Sequence, residues 1–407
     1  MKSYNIYKRL LDYWHEIKEN GLFILYMVFI LAIMLISFVL AFAYVYNPSS
    51  NQNIENARYL LSAIIQGLAA IFAIVITITF VSVQLASQNY SPRVVRIFTH
   101  SNSFWYLLLL FTLTIFSASY LLTYLNAEIA FLSSLSVITL TASCFLVLGE
   151  YIRSVPKILS LEFLLKKSFK NINEKFFKTI AKRSEQKEDE ILLNISESED
   201  PFLLYFDITI NAIERKNLAI LRSANIILRN DIEQKILNNV INKDNEKVVA
   251  KYYMNHIGKI LELELDAKDD NAIRYTYETI EYIGKIACKT GLEKFLDEIR
   301  QTILSNEIIN LEKDNPPNIW AINILNSILD CIITKNYSND LIYDYINAIF
   351  NLTYDAGERG YYHFPYDGIL KLKDIKSKLT EKSEISPNIF KKLDQFIEEL
   401  TELDKKL

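Results

Sequence analysis

The stretch Thr77–Phe98, TITFVSVQLASQNYSPRVVRIF, begins as apolar sequence and breaks at Pro92, between Ser91 and the two arginines Arg93 and Arg96. Hydroxyl and amide side chains interrupt its apolar residues every few positions, and Ser91-Pro92 then ends or kinks the helical pattern. An amide in hydrocarbon is costly unless it has a partner. The stretch therefore predicts a membrane helix with one side facing protein or water.

Four apolar segments lie within the first 150 residues. Each is long enough to cross a bilayer at a rise of about 1.5 Å per residue. The connector between the third and fourth segments is only Asn126-Ala127-Glu128, which predicts an antiparallel hairpin. The segments are Leu22–Tyr46, Tyr59–Tyr90, Phe104–Leu125 and Ile129–Gly149.

Lysine and arginine are distributed unevenly around these segments, and this bias predicts orientation. Arg93 and Arg96 lie between the second and third segments, and basic residues precede the first and follow the fourth. The opposite side has only Arg58, with the acidic Glu55 and Glu128. We therefore expect a multi-pass protein of the cell membrane with both termini in the cytoplasm.

One side of the second segment carries small and polar side chains at helical spacing. This polar stripe packs against other helices, because small residues allow close approach and hydroxyls and amides bond across the contact. Alternatively it lines a conduction path in a homo-oligomer, since four helices from one chain are too few to enclose a channel. The stripe consists of Ser62, Gln66, Ala70, Ala73, Thr77, Gln84 and Gln88.

The exit from this segment also has two interpretations. The basic residues are stop-transfer charges that contact phospholipid, or they ring a cytoplasmic mouth and raise the local anion concentration. No acidic residue lies inside the four segments, which argues against a proton-relay transporter. The residues expected at the mouth are Ser91, Pro92, Arg93 and Arg96.

The segment Ala57–Phe98 resembles a family of bacterial and archaeal membrane proteins, catalogued as domain of unknown function 2254. Asp200-Pro201-Phe202 is similar to a family segment near the start of its soluble region, although Ser196-Glu197-Ser198-Glu199 stands where small and glycine residues are expected. The resemblance implies a multispanning N-terminal region with a cytoplasmic C-terminal domain, and it implies no activity. In its densest part, VQLASQNYSPRVVRIF, the residues that follow the family's pattern are Gln84, Ser87, Gln88, Ser91, Pro92 and Arg93.

After the fourth segment, residues 151–183 predict a basic amphipathic helix next to the membrane. Apolar residues recur at helical spacing from Ile158 to Ile180, and lysines cover much of the remainder. Such a helix lies along the anionic inner leaflet, or it descends as a stalk that packs on its own copies. The lysines expected to bind lipid are Lys157, Lys166, Lys167 and Lys170.

The whole chain predicts an all-α protein. An amphipathic cytoplasmic segment, residues 1–21, precedes a four-helix transmembrane domain, residues 22–150. The basic helix is followed by an acidic linker, residues 184–200, and a helical cytoplasmic domain, residues 201–407. The apolar period of that domain is 3.6, and serial helix pairs predict a solenoid-like array or a bundle.

One stretch of the helical domain concentrates groups able to bind a ligand. Thr353–Gly368, TYDAGERGYYHFPYDG, holds three glycines, four tyrosines and a histidine. We expect an interhelical loop here, and a small-ligand site is the alternative.

Composition argues against several classes of function. The 407 residues carry a formal net charge of −4, and most of the charge follows residue 150, so nucleic-acid binding by bulk charge is not expected. The three cysteines and four histidines lack zinc-site spacing. No Gly-rich phosphate loop and no nucleophile–base pair is recognisable. We expect three reduced thiols, no metal site, no cofactor and no catalytic residues, and hence no enzyme.

The leading hypothesis is a prokaryotic integral membrane protein that forms a homo-oligomeric ion-conducting pore. The second apolar segment would line the pore, and the cytoplasmic helical domain would regulate it. The alternative is a membrane-anchored sensor or scaffold without transport activity, whose soluble helical domain binds an unknown protein or small ligand.

Overall fold

The structure is a computed structural model, and it describes residues 52–99, 102–124, 130–184, 200–313, 315–382 and 385–407. These residues are mainly helical and include no strand, which confirms the predicted all-α class for them. The expected segment 1–21, the first apolar segment Leu22–Tyr46 and nearly all of the acidic linker lie outside the described residues.

Fifteen helices follow one another along the described residues. They are α1 (Gln52–Asn89), α2 (Arg93–Thr99), α3 (Asn102–Thr123), α4 (Ala130–Ile158), α5 (Leu161–Lys170), α6 (Glu174–Ser184), α7 (Leu203–Glu214), α8 (Leu218–Leu237), α9 (Glu246–Ala267), α10 (Asp270–Thr290), α11 (Glu293–Glu312), α12 (Ile319–Thr334), α13 (Asn339–Glu358), α14 (His363–Thr380) and α15 (Pro387–Lys406).

The chain forms two compact units. Unit 1 contains residues 52–86 and the described part of Val95–Leu159, and unit 2 contains Ser87–Val94 together with the described part of Ser160–Leu407. The division falls inside α1, so the last turn of this helix belongs to unit 2. The domain boundaries given above stay predictions.

Three helices of unit 1 are long and apolar enough to cross a membrane. The candidate spans are Ile54–Asn89, Phe104–Thr123 and Ser134–Ile158, and they match the second, third and fourth predicted segments. With 38 residues, α1 is about 57 Å long, whereas the hydrocarbon core is about 30 Å thick. It must therefore tilt or project beyond that core. A four-span domain stays a prediction.

One side of α1 packs into the apolar core of unit 1. Leu68 and Val83 are buried in a cluster with residues of α3 and α4. The rings of Phe72 and Phe111 stack with centroids 5.2 Å apart. The Tyr151 hydroxyl donates to Thr79 Oγ1 at 3.1 Å. This side of α1 is thereby occupied by contacts within the chain.

Helices α7 to α15 stack in order in two layers, and we call this stack the solenoid. Each of these helices except α8 packs closely on the next helix, and each but the last two also packs on the next but one. In the layer of odd-numbered helices, α9, α11, α13 and α15 begin at intervals of 47, 46 and 48 residues. Side-chain bonds recur at nearly the same separation, as from Tyr345 to the Leu296 carbonyl, 49 residues apart. The repeat therefore exists in the structure, although no sequence repeat marks it.

The short connectors explain how consecutive helices reverse direction. Lys268 follows α9 with a left-handed φ of 52°, and the next residue, Asp269, caps α10 by accepting the N–H groups of Asn271 and Ala272. Lys216 and Asn217 form the same pair between α7 and α8. A left-handed residue ends one helix and an Asx cap begins the next, so few connecting residues are needed.

The expected loop Thr353–Gly368 is largely helical, and only residues 359–362 connect α13 to α14. A Cβ atom on Gly357 would lie 2.5 Å from Pro365 Cγ and 2.7 Å from Leu403 Cδ2. The expectation of an interhelical loop over this whole stretch is wrong, because this glycine permits close helix packing rather than a turn.

We expect Gly357→Ala to destabilise the solenoid, because the added methyl group meets the rigid Pro365 ring. Overpacking of this kind costs about 1–3 kcal/mol. The midpoint of thermal unfolding of the full chain in detergent, followed by circular dichroism, should fall by several degrees. Asn351→Ala, at an exposed position of the same helix, is the matched control. Equal midpoints for the two variants would contradict the packing role.

Candidate functional site

The polar stripe lies on the side of α1 away from the unit 1 core. At about 100° per residue, it centres roughly 140° from Leu61, Leu68 and Val83. Ser62 is half-buried, and the other stripe residues are exposed, namely Gln66, Ala70, Ala73, Thr77, Gln84 and Gln88. Within unit 1, the described helices thus leave the stripe largely uncovered.

Among the described residues, the bonds that the stripe side chains form stay within their own helix. The Gln66 amide donates to Ser62 Oγ at 3.4 Å, and the Thr77 hydroxyl donates to the Ala73 carbonyl at 2.8 Å. Neither contact reaches another of the described helices, so the described part of the chain leaves amide bonding capacity unused. The role of the stripe in pore lining or helix packing stays a prediction.

The exit segment, Ser87–Val94, is held by the first helix of the solenoid. Asp207 Oδ2 on α7 accepts the Ser91 hydroxyl at 2.6 Å and Arg93 Nε at 2.9 Å. The Ser91 Oγ atom also accepts the Arg93 backbone N–H at 3.1 Å. Ser91 is fully buried, whereas the Arg93 and Asp207 side chains are 36% and 27% exposed. Solvent therefore weakens the ion pair more than the serine contact.

Two further residues of unit 2 extend this contact along the same side of α7. Asn211 Nδ2 donates to the Tyr90 carbonyl at 2.6 Å. Arg215, just after the end of α7, donates from Nη1 to Asn89 Oδ1 at 3.1 Å. Asp207, Asn211 and Arg215 are spaced four residues apart, so they form one row along the helix. We call these contacts, with those of Asp207, the exit joint.

The exit joint includes residues that the sequence predicts at a cytoplasmic mouth. Arg93, predicted to contact phospholipid or to ring a mouth, forms an ion pair with Asp207. Pro92 is exposed between α1 and α2, and Arg96 lies within α2 with its side chain outside the described part. The cytoplasmic mouth stays a prediction. Sequence reasoning missed Asp207 and Asn211, whose only local signal is polarity in an otherwise apolar helix.

The predicted lipid-binding lysines lie at the end of α4 and on α5. Lys157 lies in the last turn of α4, whereas Lys166, Lys167 and Lys170 are exposed on α5. Lys166 pairs with Glu162 at 2.6 Å. Lipid binding by these lysines stays a prediction.

Where one amphipathic helix is predicted over residues 151–183, the structure has the end of α4, then α5 and α6. Ser160 begins α5 by accepting the Phe163 N–H. Leu165 and Phe169 of α5 are fully buried, and α5 packs on α8 of the solenoid. The apolar side of α5 is therefore covered by its own chain and is not available for insertion into lipid.

Asp200-Pro201-Phe202 lies in a buried aromatic cluster of unit 2. Asp200 Oδ1 accepts the Tyr252 hydroxyl at 2.5 Å and the Phe202 N–H at 2.9 Å, and Oδ2 lies 3.1 Å from His256 Nε2. The Phe202 ring stacks on His256 with centroids 4.7 Å apart. Burial raises the pKa of Asp200, but His256, Tyr252 and the Phe202 N–H together outweigh it, so this pKa is lowered. The cluster thus holds an ionised carboxylate next to the N-terminal end of the solenoid.

Two other acids are buried deeper in the solenoid. Glu264 is fully buried and accepts the Thr276 hydroxyl at 2.9 Å. Glu307 accepts the Tyr277 hydroxyl, and it also accepts the Asn318 N–H at 2.7 Å. Burial raises the pKa of Glu264 to about 8 and that of Glu307 to about 7. Both acids retain protons at a pH where exposed glutamates are ionised.

The comparisons with known proteins bear on the first part of the chain. Residues 20–203 match the model of the family described as "Predicted membrane protein (DUF2254)". This match confirms the predicted resemblance. It includes the polar stripe, the exit segment and Asp200-Pro201-Phe202, and it ends at the first residue of α7. The description names a location and no activity.

No curated protein matches the chain. A solved structure titled "Circular tandem repeat protein with novel repeat topology and enhanced subunit contact surfaces" aligns at 11% identity with a TM-score of 0.27. The alignment covers 87% of this chain and 96% of the other. Similarity at this level supports no conclusion about fold or function.

The raised pKa of Glu264 predicts how stability depends on pH. Between about pH 4.5 and pH 8 the folded state keeps a proton that the unfolded state releases, so stability falls as pH rises. Glu264→Gln keeps the shape without the titration. We expect it to remove the part of this fall that Glu264 causes, while the part that Glu307 causes remains, and to stabilise the chain at pH 8 by an amount on the order of a few kcal/mol.

Urea unfolding of the full chain at pH 5, 6.5 and 8 measures this effect. Glu262→Gln, two positions away at a less buried site, is the control and should follow the unsubstituted chain. A Glu264→Gln profile with the same pH dependence as that chain would contradict the prediction.

Proposed function

We propose that the protein is a homo-oligomeric ion channel of the prokaryotic cell membrane. Copies of α1 would surround the path with their polar stripes, and the solenoid would set the opening through the exit joint. In this proposal the exit segment, the solenoid and both termini lie in the cytoplasm. The family description supports the membrane location.

The exposed polar stripe on α1 is the observation that carries the proposal. Its amides lie opposite a side already committed to the unit 1 core, so intrachain contacts of α3 and α4 do not satisfy them. A glutamine facing acyl chains is unfavourable. Association of several chains around water satisfies these amides, and a ring of amides and hydroxyls eases ion dehydration.

The exit joint supports regulation by the solenoid. The last turn of α1 and the first helix of the solenoid belong to the same compact unit. A displacement of α7 is therefore transmitted to α1 through Ser91, Arg93 and Tyr90, whose contacts with α7 are direct. A solenoid that changes shape on binding a partner would alter the channel by this route.

Substitution of the glutamines tests conduction. In planar bilayers that contain the purified protein, we expect Gln84→Leu and Gln88→Leu each to reduce single-channel conductance severalfold, because an amide is replaced by an apolar group of similar size. Ile78→Leu, at an exposed apolar position of α1, is the matched control and should conduct like the unsubstituted protein.

Native mass spectrometry of the same preparations supplies the second measurement. Intact oligomers that carry no current would contradict the channel and favour the membrane-anchored scaffold, with the stripe serving assembly alone. A solitary chain would contradict both uses of the stripe. Conductance unchanged by either glutamine substitution would place the path elsewhere.

A further inference from the structure

Two cysteines that are distant in sequence lie together in the solenoid. Cys288 is in the last turn of α10 and Cys331 in the last turn of α12, two helices that pack side by side. The packing of these helices brings the two thiols near enough for Cys331 to raise the pKa of Cys288. Both are free thiols; Cys288 is buried and Cys331 is partly exposed. Sequence spacing alone predicts unrelated thiols here, since more than 40 residues separate them.

Neighbouring contacts fix the register that brings these thiols together. One turn before the cysteines, a Cβ on Gly284 would lie 2.6 Å from Ile328 Cδ1, so the helices approach closely. Directly before Ile328 in the chain, the Ser327 hydroxyl donates to Glu281 Oε1 of α10 at 2.6 Å. Beyond the cysteines, the Tyr337 hydroxyl donates to the Cys288 carbonyl at 2.7 Å. Contacts on both sides hold the pair in place.

We propose that Cys288 and Cys331 form a reversible disulfide that links adjacent solenoid repeats when the protein meets a peroxide. The partly exposed Cys331 thiol reacts first, giving a sulfenic acid and one water molecule. The Cys288 sulfur then attacks the sulfenic sulfur and a second water leaves. In sum, two thiols and one hydrogen peroxide give one disulfide and two waters.

The surroundings assign different roles to the two thiols. Burial raises the pKa of Cys288, contact with Cys331 raises it further, and Lys335 and Lys289 only partly oppose this rise. Cys288 therefore stays protonated and shielded until Cys331 has reacted, since the thiolate is the species that peroxide oxidises. This order suits a transient disulfide in a reducing compartment, where persistent disulfides are rare.

The disulfide would restrict the solenoid rather than create a new surface. It joins the C-terminal ends of α10 and α12, and it closes a loop of chain that contains all of α11. Such a link disfavours the unfolded state. It also resists sliding between the two helices, so that an oxidised solenoid is stiffer across this repeat.

Thiol counting on the full-length protein in detergent tests the proposal. After treatment with hydrogen peroxide and unfolding, maleimide labelling should detect one thiol per chain instead of the three in the sequence. Peptide mass spectrometry should find Cys288 and Cys331 in one linked species that dithiothreitol separates. The midpoint of thermal unfolding should rise by several degrees on oxidation and return on reduction.

Cys331→Ser and Cys288→Ser are the matched variants, and Cys144→Ser is the control that keeps the pair. Each of the first two should abolish both the linked peptide and the thermal shift, whereas the control should retain both. Peroxide treatment that leaves all three thiols free would overturn the proposal. So would oxidation of Cys331 to a sulfinic acid without a linked peptide, or a link only between separate chains.

Discussion

The carboxylate of Asp207 joins the end of the longest apolar helix to the first helix of the solenoid. It accepts a hydroxyl and a guanidinium N–H from the same short segment, at 2.6 Å and 2.9 Å. A hydrogen bond to a charged group contributes about 1.5–3 kcal/mol, whereas the partly exposed ion pair contributes about 0–1 kcal/mol. Most of the stabilisation therefore comes from the buried Ser91, and Arg93 mainly orients the segment.

This contact lies next to the point where α1 passes from unit 1 to unit 2. A continuous helix transmits displacement along its axis because each turn is bonded to the next. The body of α1 packs in unit 1 and its last turn in unit 2. The helix that presents the polar stripe therefore leads directly into the exit segment, which receives the contacts of α7.

Local sequence patterns predicted the helices but not which residues of different helices contact one another. Apolar runs predicted three of the helices now found in unit 1, because length and composition suffice to recognise a membrane span. The bond between Ser91 and Asp207 could not be predicted from local patterns, because the two residues are 116 positions apart in the chain. The Cys288–Cys331 pair was hidden for the same reason. Such contacts depend on the stacking of helices, which periodicity does not specify.

The stretch with Gly357 and Gly368 is rich in glycine, but the interhelical loop predicted from this composition is wrong. Glycine-rich sequence usually indicates a turn, but these two glycines lie where helices approach closely. By contrast, residues such as Asn217 and Asp269 act as helix caps, as their residue types favour. A helix cap can be predicted from residues adjacent in sequence, whereas close helix packing depends on a residue elsewhere in the chain.

Hydrogen exchange of the Val94 amide in the full-length protein reports on the exit joint. This amide donates to the Ser91 carbonyl at 3.0 Å inside the segment that Asp207 holds. If the joint fastens the segment to the solenoid, Asp207→Ala should accelerate this exchange about tenfold, the factor that ~1.4 kcal/mol represents. Asp244→Ala, in an exposed turn, should leave it unchanged. Equal protection of Val94 in both variants would contradict the account.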